Sequence, residues 1–365
     1  MPRRFWARAA FAAVALATIA GCGGGGSDIS GDAVLHVYVS LPMRGPDATN
    51  GNDAADGARL ALADAGDEAG GVKVEASYLD DATDIGWSAA QVGKNARTAT
   101  QDSAAIAYLG DFESGASRTS VPITNTAGML QVSPASTATD LVDAFPGSDQ
   151  ISEEQKAGRT FGRVIPGDEA QARAAAGWVN EMGVPTDAVI ERSAYGRDVG
   201  DAFKTALERP AGQAKLVFFA GATTFGNLAG HTALPVMATD AQLNERDLAI
   251  APDGTLITSA ALDRTQWPPA ANEFAGHFIA EYGRSPGRYA AYGYEAMAVI
   301  LDSIDRASDP LDRSSVVDAF FDTTDRASIL GTYSIDENGE TTLNHMTGYE
   351  VRDGRARPVK YLDGS

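Results

Sequence analysis

The chain has 365 residues, 44% hydrophobic and 21% charged, with a formal net charge of −20. That length suits about two α/β domains, and the apolar share is enough for two cores. The acidic excess argues against nucleic acid, whose phosphates need a basic face. Cys22, the single cysteine, excludes any intrachain disulfide and any cysteine metal site.

Residues 1–22 read as an export signal, not as part of the fold. Arg3, Arg4 and Arg8 form a positive start, and Ala9 to Ala20 is an apolar run too short to span a bilayer. Ile19-Ala20-Gly21-Cys22 resembles a bacterial lipobox, which makes Cys22 the expected lipidated terminus. Residues 23–32 begin with Gly23–Ser27 (GGGGS) and read as a flexible tether. A lipidated cysteine on a tether implies anchoring to the outer face of a membrane.

Val34–Val39 is expected to be a strand, being short, β-branched and apolar. Ser40–Gly57 reads as a turn-rich loop, and a helix is expected from about Asp53. Gly70-Gly71 closes that helix connection, Val72–Leu79 reads as the second strand, and Asp84 is expected to open the next helix. Ala104–Leu109 is a third strand. It leads through Gly110-Asp111 into a helix that Ser114 is expected to cap. Met129–Val132 is a fourth strand, followed by Ser133-Pro134-Ala135-Ser136-Thr137.

Further on, Thr160–Pro166 is extended and Asp168 is expected to cap a helix to about Met182. Strands are expected at Asp187–Glu191, Lys215–Phe219, Val236–Ala238 and Gly254–Ser259. Helices are expected at Arg197–Leu207, Ala270–Tyr282, Tyr289–Ala307 and Leu311–Phe321. Met346–Val351 and Ala356–Tyr361 form a terminal hairpin around Asp353-Gly354. Strand and helix alternate throughout, which predicts parallel, doubly wound sheets.

In such sheets ligands bind at the carboxyl edge, where strand gives way to helix. The two consecutive turns at Gly110–Ser117 and Ser133–Thr137 would bring hydroxyls and backbone N–H groups to one point. A helix start adds the positive end of its dipole, which suits a carboxylate.

The motifs Pro42-Met43-Arg44-Gly45-Pro46, Tyr78-Leu79-Asp80-Asp81, Ser133-Pro134-Ala135-Ser136-Thr137, Arg163-Val164-Ile165-Pro166-Gly167-Asp168 and Tyr195-Gly196-Arg197 occur in order. Together with Tyr289–Tyr294 they resemble the type I periplasmic binding proteins of the leucine/isoleucine/valine-binding class, over about residues 33–350. That resemblance implies an α/β fold of two Rossmann-like lobes joined by three hinge crossings. Lobe one would be 33–163 with 257–332, and lobe two 164–256 with 333–365, apparently trimmed by one βα unit. It also implies a receptor for an ABC importer that closes on a small amino acid or a related carboxylate or amide. Its partners would be the ligand and the ABC permease subunits, the protein itself being a monomer without cofactor or metal.

By the same resemblance Ser114, Ala135, Ser136 and Thr137 would hold the ligand's carboxylate and amine in lobe one. Tyr195 would close over the ligand, and Asp240 would pair with its ammonium. Asn50 and Ala222 stand where relatives often carry aromatics.

Two other readings compete. A sensory lipoprotein of the same fold would bind a partner and supply no transporter. A hydrolase would need a nucleophile with a base. No G-x-S-x-G elbow or phosphate-binding glycine loop occurs, and His36, His231, His277 and His345 are scattered without ligand spacing. His36 and His277 are expected in structural roles, and Asp80-Asp81 in turn formation.

Overall fold

The computed structural model describes residues 34–142, 158–208, 213–228 and 232–365. Cys22 and the expected signal and tether lie outside them, as does His231.

The first sheet is built from β1 (Val34–Leu41), β2 (Glu68–Ala69), β3 (Val72–Asp80), β6 (Ala105–Gly110), β7 (Leu130–Ser133) and β8 (Phe161–Arg163), in the order β2-β3-β1-β6-β7-β8. All pairings are parallel except the short edge strand β2. Its core strands read as continuous apolar runs because both faces are covered. On one face lie α1 (Ala48–Asp64) and a long helix from the far end of the chain. On the other lies α2 (Ala89–Gln101), with Ala96 and Ala99 packed on Tyr38 and Tyr108.

Helix α3 (Ser114–Thr126) follows β6. After β8 the chain crosses at Val164–Gly167 into a second body. There α4 (Asp168–Met182), β9 (Thr186–Ile190), α5 (Ala194–Ala206), β10 (Leu216–Ala220), the short helix α6 (Phe225–Leu228), β11 (Val236–Ala238), the short helix α7 (Glu245–Leu248) and β12 (Leu256–Ser259) follow in turn. Strands β9 to β12 are parallel neighbours. The chain then returns to the first body to lay down α8 (Ala271–Tyr282), α9 (Arg288–Arg306), α10 (Arg313–Phe321) and the hairpin β13 (Arg326–Ser328) and β14 (Gly331–Tyr333). It crosses a third time to add β15 (His345–Arg352) and β16 (Arg355–Asp363) antiparallel on the second sheet, whose order is β16-β15-β12-β11-β10-β9. Two doubly wound α/β lobes joined by three crossings are therefore the architecture.

Four details differ from the sequence reading. Helix α1 starts at Ala48, not near Asp53. Asn50 and Gly51 look like loop residues, but a Cβ on Gly51 would meet the Pro42 carbonyl at 2.0 Å, so glycine serves close packing there. The expected helix at Asp84 is instead a tight hairpin, β4 (Ala82–Thr83) and β5 (Gly86–Trp87), turned by Gly86 at φ +127°; α2 begins after Ser88. Asp168 is the first residue of α4, with Gly167 at the cap position. Residues 257–259, assigned by resemblance to lobe one, end β12 and pair with β11 and β15, so that crossing falls after Ser259.

The lobe-one core closes where α1 meets α9. A Cβ on Gly57 would sit 1.9 Å from the Ala290 carbonyl oxygen, and a Cβ on Gly293 would sit 1.9 Å from that of Ala54. The two glycines let the backbones touch. At the crossings Arg163, 1% exposed, donates from Nε to Glu340 at 2.9 Å and from Nη1 to the Ala138 carbonyl at 2.8 Å. It thereby ties the first crossing to the third.

Candidate inter-lobe ligand site

The carboxyl ends of β6 and β7 deliver the two Ser-rich turns to one edge. Gly110 ends β6 at φ +143°, and a Cβ there would lie 2.4 Å from the Ser40 carbonyl, so no other residue fits without strain. Hydroxyls then staple the turns together. Ser133 Oγ donates to the Asp111 carbonyl at 2.7 Å and Ser136 Oγ to the same oxygen at 3.1 Å. The Ser136 amide donates to Ser133 Oγ at 2.8 Å, and Ser136 Oγ lies 2.8 Å from Ser117 Oγ. The polar groups of Ser136 are thus spent inside the protein, and the residue is fully buried.

Ser114 is not a helix cap. Glu113 holds the cap position of α3 without a side-chain bond, and Ser114 is the first helical residue. Its hydroxyl oxygen accepts from the Thr137 amide at 3.2 Å and the Ala138 amide at 3.1 Å. The hydroxyl bridges the two turns because those amides, on the neighbouring turn, reach it from across the edge. The amides of Ser114 and Gly115, in the first helical turn, have no intrahelical acceptor. Ala135, half-buried, donates its amide to Ser133 Oγ at 3.2 Å.

Thr137 reaches the other lobe. Its carbonyl accepts from the Asp168 amide at 2.8 Å. Beyond it stand Asp240 and Tyr195. Asp240 follows β11; its Oδ1 accepts from Gln171 Nε2 at 3.2 Å and its Oδ2 from the Ala260 amide at 3.1 Å. Tyr195 is the second residue of α5, whose start is capped by Ser193 Oγ accepting from Gly196 at 3.0 Å. The Tyr195 hydroxyl is held well above its ordinary value by burial first, then by Asp240 and Asp168.

Burial pushes Glu113 up to about 7, and Asp47 and Asp240 add to the rise. Glu113 of lobe one and Asp240 of lobe two are therefore within electrostatic reach of each other. Asp240 is itself raised by burial, tempered by Gln171, Ala260, Arg288 and Ser259. Asp168 is pushed up to about 7 by burial, with Arg163 lowering it and Asp240 and Asp198 adding to the rise. The Thr137 hydroxyl stands beside it and tempers that rise, yet neither Asp168 oxygen has a hydrogen bond of ordinary geometry. Asp111, fully buried, is pushed up to about 6 by burial and accepts from Tyr108 and Ser120.

The structure thus joins Ser114 to Thr137 and Thr137 to Asp168, and Asp240 acts on both Asp168 and Tyr195; Ala135 is half-buried in the same turn and Ser136 is buried behind it. Sequence reasoning gave no site role to Glu113, Asp168, Arg288, Tyr289 or Trp87, although Asp168 and Tyr289 stand in the motifs that carry the resemblance. Glu113 is adjacent to Ser114, which was a usable signal. Arg288 and Tyr289 open α9, and Tyr289 packs edge-on against Phe112 at 4.7 Å. The Trp87 ring lies where a Cβ on Gly115 would be, 2.6 Å from the nearest ring atom. Nothing in the sequence marked that approach.

His36 is bonded to Asp102 at 2.7 Å and His277 lies 3.3 Å from Asp64. Among the described residues no group of three or more His, Cys, Asp and Glu side chains could hold a metal ion, and no helix is long and apolar enough to cross a membrane.

A crevice between two doubly wound lobes, lined from both sides at the strand ends, is the architecture of a hinged solute-binding protein. Residues 37–229, more than half the chain, match the family described as periplasmic binding protein. The chain belongs to that family. It is 27% identical to a Leu/Ile/Val-binding protein homolog of Brucella melitensis, over 88% of this chain and 93% of that one. It shares its fold with a leucine-binding protein, LivK, of Thermotoga maritima at a TM-score of 0.72 and 20% identity, over 90% of this chain and 99% of the other. A solute-binding protein of an ABC transporter from Rhodopseudomonas palustris, solved with benzoate, aligns at a TM-score of 0.70 and 16% identity, over 90% and 96% of the two chains.

Proposed function

We propose that the protein is an extracytoplasmic solute-binding lipoprotein that delivers an amino acid or a chemically related small molecule to an ABC permease. The observation that supports this reading is that the bridged Ser114–Thr137 turns touch lobe two at Asp168, whose electrostatic neighbours include Asp240 and Tyr195. Lobe one offers the free amides at the start of α3, which suit a carboxylate. Lobe two offers a carboxylate for an ammonium and an aromatic ring to cover it. The relatives named above support the class: one is a Leu/Ile/Val-binding protein homolog and another binds leucine by name.

Function in this reading is capture, closure and release, with no covalent step. The hinge is the set of three crossings, and closure sequesters the solute between lobes. Cys22 would carry the lipid that keeps the receptor near its permease. Isothermal titration of the chain from residue 23 onward against amino acids, small amides and benzoate tests the binding claim. Binding of none of them by folded protein sinks it. Mass spectrometry of the N-terminal peptide from expressing cells tests the lipid on Cys22.

A further inference from the structure

The lobe-two wall of the crevice holds more hydrogen-bond acceptors than a neutral amino acid needs. Asp168 and Gln171 lie one turn apart on α4 and so share a side of the helix. Both are 1% exposed. The Gln171 amide nitrogen is spent on Asp240 at 3.2 Å and on the Thr258 carbonyl at 2.9 Å, so only its oxygen is left. That oxygen has no hydrogen-bond partner, and neither oxygen of buried Asp168 has a bond of ordinary geometry, although the Thr137 hydroxyl stands beside it. Buried polar atoms are nearly always partnered, and a buried carboxylate without a donor is costly. Unmatched acceptors gathered in one place call for a group that brings donors and positive charge.

The opposite wall adds to the excess. Glu113 feels Asp240 across the crevice. Two cations offset part of it: Arg163 acts on Asp168 and Arg288 on Asp240. Arg163 is engaged by Glu340 and by the carbonyls of Ser136 and Ala138. Arg288 faces Asp240 from α9, with its guanidinium 5.8 Å from the Tyr289 ring centre. A zwitterionic amino acid carries one ammonium, which Asp240 alone could match. Asp168 would then keep only Arg163 and the Thr137 hydroxyl as partial offsets, and Glu113 would keep none that acts on it. A second cationic group on the ligand resolves that.

From this we propose that the crevice takes a ligand of net positive charge, a diamine or a basic amino acid, held by Asp168 and Asp240 together. The inference rests on the crevice being the ligand site. The assignment makes Asp168, which the sequence marked only as a helix start, a specificity-determining residue.

The experiment is isothermal titration of the chain from residue 23 onward with L-leucine, L-isoleucine, L-lysine and putrescine. It is run on the unaltered protein and on Asp168→Asn, each checked for fold by circular dichroism. Lysine or putrescine is expected to bind about ten-fold or more tightly than leucine, and Asp168→Asn to cut that preference by about ten-fold. Tighter binding of leucine or isoleucine than of both cations overturns the proposal and leaves the capture reading standing. An unchanged preference in folded Asp168→Asn overturns the role of Asp168. If folded protein binds none of the four probes, the proposal falls, and the wider panel of amides and benzoate then decides the capture reading separately. Should Asp168→Asn fail to fold, Gln171→Met replaces it, with the same loss of preference expected and an unchanged preference counting against the proposal.

Discussion

The hydroxyl oxygen of Ser114 accepts the amide of Thr137 at 3.2 Å, and so one side chain joins the two turns on which the crevice is built. It also accepts from Ala138 at 3.1 Å. Ser114→Ala leaves both amides without that acceptor. The expected cost is about 1–3 kcal/mol of stability, read by urea denaturation. Affinity for whatever ligand the protein binds is expected to fall about ten-fold, since the turns lose their mutual register. Unchanged affinity in folded Ser114→Ala would remove this turn from the site.

Gly57→Ala places a methyl group 1.9 Å from the Ala290 carbonyl oxygen, and α1 and α9 must part to admit it. The expected loss is about 2–3 kcal/mol. Gly177→Ala, in α4 with nothing within 4 Å of the new carbon, is the matching control. There the better helix former is expected to add about 0.5–1 kcal/mol. Equal effects at the two sites would contradict the close approach of the helices.

Burial raises Asp81 to about 8, with Asp111, Asp80, Glu113 and Asp47 adding to it. Both its oxygens are without partners. Asp168 and Glu113 rise to about 7. Folded protein therefore holds protons that the unfolded chain has already released above its ordinary carboxylate range. Stability of the ligand-free protein is expected to fall as pH climbs from about 4 to about 8, and to level off once Asp81 has ionised. Asp81→Asn is expected to flatten that fall. Melting temperatures across this range check it, and a rise in stability toward pH 8 would reverse the sign argued here.

Arg163 and Glu340 bind one crossing to another, and Arg163 is 1% exposed. Glu340→Gln removes the charge that the buried guanidinium faces. A loss of about 2–3 kcal/mol is expected, together with a broader unfolding transition as the lobes uncouple. Calorimetry reads both. A sharp, unshifted transition would show that the pair does not couple them.

Much of this was legible in the sequence. Apolar strand runs and turn residues marked β1, β3, β6 and β7, and the Ser-rich turns that follow β6 and β7 do come together at one sheet edge. The misses have physical causes. Gly51 and Asn50 imitate a loop, whereas Gly51 is small because Pro42 passes 2.0 Å from its would-be Cβ. Asp84–Trp87 has helix-like neighbours, yet Gly86 turns a hairpin that swings Trp87 over Gly115. Asp168 reads as a helix start because its other role depends on Asp240 and Gln171, which the chain brings near only after folding. Ser114 was legible as important but not as a bridge, since its amide partners lie on another turn.

Gly57 and Gly293 stand more than two hundred positions apart, yet neither helix finds its packing surface without the other. The first lobe stays unfinished until the chain has laid out nearly all of the second and come back. Contacts of such long range make folding slow. A polypeptide of this design remains loose for most of its synthesis, a condition that any passage through a narrow pore before folding requires.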